Sequence, residues 1–306
     1  MSSTLMLRER LGRAKREVRS RLSPVPGLTD AEVQDLNRRY SGHPASGHTL
    51  WTTERQRDGL RLPDFRSDNL YVWQRATPDA AYATAWAHVQ AECRRDVVTA
   101  LHENGSFGAT TVTVDGRVLS RDLVDSMLEL DFLADNVPGF TGPDRLRVLD
   151  VGAGYGRLAH RGTIAFPHLD WRCVDAVPIS TVLCRWHLDH LGSPASVIEL
   201  DHVEATVAPG EVDLAVNVHS FNECPLSAIR WWLGLLADRD VPWLFLVPND
   251  TQELTSTEAD GSKHDFGPLL ADAGFELAVS RAKYRDDETA QAGGVYPETY
   301  LLYRRR

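Results

Sequence analysis

Between Arg147 and His160 the chain reads RVLDVGAGYGRLAH. An apolar run surrounds Asp150, glycines follow at 152, 154 and 156, and a helical pattern begins. A glycine turn that ends a buried strand and opens a helix lets a ligand approach the backbone closely, usually a ligand containing a nucleoside. Dinucleotide sites use G-x-G-x-x-G and set a pyrophosphate on the helix N-terminus. Here the spacing is G-x-G-x-G, and Asp150 stands two residues before the first glycine. A carboxylate there disfavours a pyrophosphate and suits a cation.

S-adenosylmethionine (SAM) carries an ammonium and a sulfonium and no phosphate. The next apolar run, WRCVDAV, ends at Asp175, where an acid can accept from both ribose hydroxyls. VIELDHV then places Asp201 at a third strand end, positioned to accept from an adenine amino group. One acid at a strand end is usually a solvated loop residue; three in succession beside this loop favour SAM. The expected cofactor-binding residues are Asp150, Gly152, Ala153, Gly154, Asp175, Ala176, Asp201 and His202, with Asn217 and Val218 contributing backbone. Arg157 is a candidate for the cofactor carboxylate, or else a surface charge.

Methyl transfer from a sulfonium to a hydroxyl needs alignment and a proton acceptor. VDLAVNVHSFNEC sets His219 at a strand end, followed by Asn222 and Glu223. An imidazole exchanges its proton near neutral pH. His219 is read as the catalytic base, with Glu223 fixing its tautomer or holding the acceptor; the bland alternatives are a structural histidine and a helix-capping glutamate. His264 beside Asp265 is a rival base, with capping by Asp265 preferred. Asp175, Glu223 and Asp250 could offer oxygen to a metal but lack tight ligand spacing, and metal-independent chemistry is expected.

The elements that must position these residues fall into two regions. Residues 1–140 read as a mostly helical cap, and 141–306 as alternating strands and helices, which implies a mainly parallel sheet. One helix is expected over 77–105, a hairpin turning at Asp115-Gly116, and another helix from Ser120 to Val137, where Asp122 is read as favouring the helix dipole. Strands are expected near 146–151, 171–175, 196–200, 212–218, 242–247, 276–282 and 298–303, and helices near 156–165, 178–191, 225–238 and 263–274. Segment 42–76 is irregular and aromatic-rich, which suggests a lid. Within it Tyr71 and Gln74 are expected to cover the cofactor, and Asp68, Asn69 and Trp73, with Asn222, to touch substrate.

Composition excludes several classes. With 33 basic and 43 acidic residues the net charge is −10, and nucleic acid is not an expected partner. Residues 1–22 run the other way, carrying seven basic and two acidic residues on what reads as an amphipathic helix. No apolar run approaches a membrane span, and no signal-like stretch opens the sequence. Four cysteines without CxxC pairing suggest reduced thiols and a cytoplasmic location. Oligomeric state is open, a homodimer among the options.

The D-x-G-x-G-x-G pattern with Asp175 after it resembles the class I SAM-dependent methyltransferases. Further stretches, FRSDNLYVWQ, SRDLVDSMLEL, VDAVPIST, NVHSFNE and WLFLVPN, resemble the sugar O-methyltransferases of antibiotic and polysaccharide gene clusters, over most of the chain from Trp51 onward. This resemblance implies a Rossmann-like α/β fold with a seven-stranded sheet, its last strand antiparallel, behind a helical cap. It also implies transfer of methyl to a sugar hydroxyl of a small molecule. An amino-sugar nitrogen or phenol acceptor, a nicotinamide oxidoreductase and a non-catalytic binding protein are the alternatives.

Overall fold

The computed structural model describes residues 30–47, 51, 62, 64–67, 77–249 and 253–306. Tyr71, Gln74, Asp68, Asn69, Trp73 and Asp250 lie outside the described residues.

A hairpin of β1 (Val112–Val114) and β2 (Arg117–Leu119) turns at Asp115-Gly116, both at positive φ as a two-residue loop requires. The main sheet holds β3 (Leu146–Val151), β4 (Leu169–Val174), β5 (Ser196–Ile198), β6 (Leu214–Val218), β7 (Trp243–Val247), β8 (Phe275–Ala282) and β9 (Thr299–Arg305). Its order is β5-β4-β3-β6-β7-β9-β8. The first five strands in that order pair in parallel, and β9 pairs antiparallel with both β7 and β8. This is the seven-stranded α/β sheet with an antiparallel last strand that the sequence implied.

Alternate residues of the central strands enter opposite cores. Val148, Leu214, Val216, Phe245, Val247, Tyr300 and Leu302 face one side. Leu149, Val151, Ala215, Leu244, Leu246, Leu301 and Tyr303 face the other. That two-residue period fits a sheet buried on both faces. The first face is covered by α2 (Asp79–Glu92), α3 (Arg95–Ala100), α4 (Arg121–Asn136) and α5 (Arg157–Ala165). The second carries α1 (Asp30–Tyr40), α8 (Leu226–Asp238) and α9 (Gly267–Asp272). Helix α6 (Pro178–His190) contributes Cys184 and Leu188 to one core and Val182 to the other, while α7 (Val203–Thr206) and α10 (Glu288–Gly293) are short connectors. The helices before residue 140 therefore share a core with the sheet.

Three elements differ from expectation. The single helix over 77–105 breaks at Cys93, whose backbone is extended, because the buried Asp131 carboxylate accepts the Arg94 N–H at 2.7 Å and starts α3 afresh. The helix expected over 263–274 shortens to α9, since Thr255 and Asp265 form a β-bridge first. The third strand stops at Ile198, and Leu200–His202 form a 3₁₀ turn. Among the described residues no helix is long and apolar enough to cross a membrane.

Candidate active site

The strand order reverses at β3, which has β4 on one side and β6 on the other. Ligands of open parallel sheets bind beyond the carboxyl ends of strands at such a point. A cavity of ≈380 Å³ lies there. Asp150, Gly152, Ala153 and Gly154 line it from β3, Asp175, Ala176 and Val177 from β4, and Val218, His219, Ser220 and Glu223 from β6. Trp51, Arg121, Asn249 and Tyr296 also line it.

The glycine loop is shaped by contact as well as by conformation. Gly152 has φ +74, and a Cβ there would stand 2.2 Å from Ser220 Oγ. Gly152 N–H donates to Val174 O, and Gly154 N–H to Asp175 Oδ2 at 2.9 Å. Asp175 Oδ1 accepts from Val177 N–H at 2.8 Å. The Asp175 carboxylate thus splints the first two βα turns together.

Asp150 and Asp175 are both buried, 4% and 7% exposed. Burial pushes each carboxyl up to about 7, since removing water penalises the anion. For Asp175 the two backbone N–H groups offset part of that. Among the described residues no hydrogen bond reaches the Asp150 carboxylate, and the cation that partly offsets its burial is Arg157. A buried carboxylate on a cavity wall without a donor calls for a cationic or hydrogen-bond-donating ligand.

Arg157 also lines the cavity, yet its guanidinium makes a two-pronged pair with Glu129 at 2.7 and 2.9 Å and binds Ser126 Oγ. The surface-charge reading is overturned, and its pairing with a cofactor carboxylate meets a guanidinium already matched. Asp122 likewise does more than favour a dipole. It is buried, accepts from Arg66 and from the Tyr155 hydroxyl, and ties the segment 64–67 to the glycine loop. One stripe of α4, Asp122, Ser126 and Glu129, meets Arg66, Arg157 and Arg161 in the interior.

His219 follows β6 with φ +67. Its N–H donates to Val247 O at 2.8 Å, and Asn249 Nδ2 donates to its carbonyl. The imidazole Nε2 lies 2.6 Å from Glu298 Oε1. Glu223 takes a different place from the tautomer-fixing one expected: it accepts from Trp51 Nε1 at 2.6 Å and from Asn249 Nδ2 at 3.3 Å. Burial raises its carboxyl above the ordinary range, partly offset by those donors.

Other expected site residues are held elsewhere. Asp201 and His202 do not line the cavity. The Asp201 carboxylate accepts twice from Arg39 at 2.8 Å, which draws it toward α1, and His202 is exposed. Asn217 is buried behind the site, donating to Val151 O and accepting from Phe221 N–H, so it braces the β6 turn while Val218 reaches the cavity. Asn222 is a loop staple, donating to Glu253 O and Thr255 O. His264 is exposed and does not line the cavity, and Asp265 accepts from Gly267 N–H at the start of α9, where Phe266 holds the cap position. Sequence reasoning left Trp51, Ser220, Asn249, Tyr296 and Glu298 without a named site role; the aromatic-rich segment around Trp51, NVHSFNE with Ser220 and WLFLVPN ending at Asn249 held a signal, and Tyr296 and Glu298 had none.

No family model matches the chain. In sequence it is similar to the ribosomal RNA small subunit methyltransferase G of Bordetella pertussis, 27% identical over 139 residues, 45% of this chain and 60% of that protein. The chain thus spans about 60% of the length of the curated relatives it matches. Among solved structures it is similar to a SAM-dependent methyltransferase from Leishmania major, at 17% identity and TM-score 0.45, over 60% of this chain and 72% of that one. It is also similar to the SAM-bound magnesium protoporphyrin IX methyltransferase of Synechocystis PCC 6803, at 15% identity and TM-score 0.42, over 61% and 83% of the two chains.

Proposed function

We propose that this protein is a SAM-dependent O-methyltransferase acting on a sugar hydroxyl of a small molecule. The observation that carries the cofactor assignment is Asp150, a buried carboxylate on the cavity wall that no donor among the described residues satisfies. An ammonium fits that wall and a pyrophosphate does not. Asp150, Gly152 and Gly154 would hold the amino-acid end, and Asp175 the ribose hydroxyls. Bound there, SAM supplies a methyl group on a sulfonium that leaves as a neutral thioether.

The chain's own residues do the rest. Trp51 and Tyr296 offer apolar faces to the cavity, with hydrogen-bonding groups on Asn249 and Glu223 also lining it. Such a mixture suits a sugar, which has apolar faces and polar edges. His219 takes the hydroxyl proton as the oxygen is methylated, and the left-handed backbone there is a strain of about 1–3 kcal/mol retained at a site of use. Neither step requires a metal ion, and no metal is assigned.

RNA is a second reading of the acceptor, favoured by the likeness to a protein whose name refers to ribosomal RNA. The net charge of −10 weighs against it without excluding it. Calorimetry with SAM and S-adenosylhomocysteine, then transfer of labelled methyl to nucleoside-diphosphate sugars, small glycosides and ribosomal RNA, separates these readings. Binding of SAM with label in a sugar is expected. Failure to bind SAM rejects the enzyme assignment, and label in RNA alone rejects the sugar.

A further inference from the structure

The loop before β9 supplies a second wall of the cavity that no motif announced. Glu298 is 3% exposed and Lys283 2%. Lys283 Nζ binds Asp125, donates to Val295 O at 3.1 Å and Tyr296 O at 2.9 Å, and lies 3.5 Å from Glu298 Oε2. Its own N–H donates to Glu298 O at 2.9 Å. One buried ammonium therefore gathers the turn that carries Tyr296 and Glu298. Tyr296, at φ +44, sits under the Arg121 guanidinium, 3.6 Å from the ring centre. Arg121 Nη2 is 3.7 Å from Glu298 Oε1, the oxygen that meets His219 Nε2.

We infer that Glu298 is the positioning residue for His219, fixing the ring so that Nε2 carries the proton and Nδ1 offers its lone pair to the acceptor hydroxyl. This rests on the reading of His219 as the base. Burial pushes the Glu298 carboxyl up, but Lys283, His219 and Arg121 outweigh burial and hold it well below the usual carboxylate range. An ionised carboxylate has no proton to donate, so the 2.6 Å contact must be imidazole N–H to carboxylate oxygen. Charge-assisted bonds of that kind are short and directional. The acids and bases facing the pair are Lys283, Arg121 and Asp125, with Tyr296 beside the ring and Glu223 on the adjoining turn. In methyl transfer the acceptor O–H bond breaks and its proton passes to Nδ1, while the oxygen forms a bond to the methyl carbon as the carbon–sulfur bond breaks and sulfur keeps the pair as a neutral thioether. Glu298 faces the resulting imidazolium from the opposite side and receives no proton.

The test uses the full chain labelled with ¹⁵N-histidine, in parallel with SAM calorimetry. The wild type should show a strongly downfield imidazole N–H proton, assigned by its absence in H219N. In E298Q, folded as judged by its cooperative melt and with SAM affinity unchanged, that resonance should be lost or move well upfield. E298D, which keeps the charge and withdraws the oxygen, should do the same if E298Q does not fold. A resonance unmoved in either folded variant, or absent from wild type that binds SAM, overturns the positioning role alone. Wild type that binds no SAM overturns the enzyme reading instead.

Discussion

Replacing Asp150 by Asn should make the unliganded protein more stable and a poorer SAM binder. Burial moves the carboxyl from 3.8 to about 7. The folded-state value lies above the unfolded one, so between them the unfolded chain holds fewer protons, and stability falls as pH rises through that window. A shift of roughly three units corresponds to about 4 kcal/mol once pH exceeds both values. The asparagine amide keeps the shape and never ionises. Incomplete burial of real charges and relaxation reduce the gain, and about 2 kcal/mol near pH 8 is expected, or roughly 3 °C in melting temperature. Near pH 3.5 Asp150 is neutral in the folded and largely so in the unfolded chain, and the two proteins should melt nearly together. Losing a charge-assisted bond to an ammonium costs about 1.5–3 kcal/mol, roughly ten- to hundredfold in Kd. Wild-type SAM affinity should itself rise as pH increases through about 7, because both Asp150 and Asp175 ionise there. Scanning calorimetry at the two pH values, with and without SAM, measures all of this. A D150N protein less stable than wild type near pH 8, or binding SAM equally well, refutes the reasoning.

Three more substitutions test other parts of the site. H219Q should lower methyl transfer by about 10²–10⁴ while leaving SAM affinity in calorimetry unchanged. E129Q leaves the half-buried Arg157 guanidinium without its matched carboxylate, and denaturant titration should show a loss of about 3 kcal/mol. G152A drives a methyl group into Ser220 at a left-handed position, so the loop must move; SAM affinity should fall and stability drop by about 1–3 kcal/mol.

Much of this arrangement was readable along the chain because its causes are local. The apolar runs at 146–151 and 243–247 alternate between two cores, and their composition alone marks buried strands. Asp150, the three glycines and Asp175 follow one another across a strand, a turn and the next strand, so their spacing conveys their meeting place. His219 was legible for the same reason, standing at a strand end. Asp201 shows the limit of that logic. The same strand-end rule applied to it, but Arg39 on a distant helix offers it two hydrogen bonds and takes it out of the site.

The sequence by itself thus determined the sheet, the glycine turn and the order of acids beside it, because backbone sterics and hydrophobic period act between near neighbours. Tertiary structure alone decided which charges meet. Glu298 lies 79 residues from His219, and Lys283 is 158 from Asp125. Arg157 reads as a partner for a cofactor carboxylate, or else as a surface cation, until Glu129 is found 28 residues away in the interior. A charge in low dielectric takes its partner and its protonation from whatever the fold brings within a few ångströms, and the antiparallel return of β9 between β7 and β8 brings Glu298 to the end of β6.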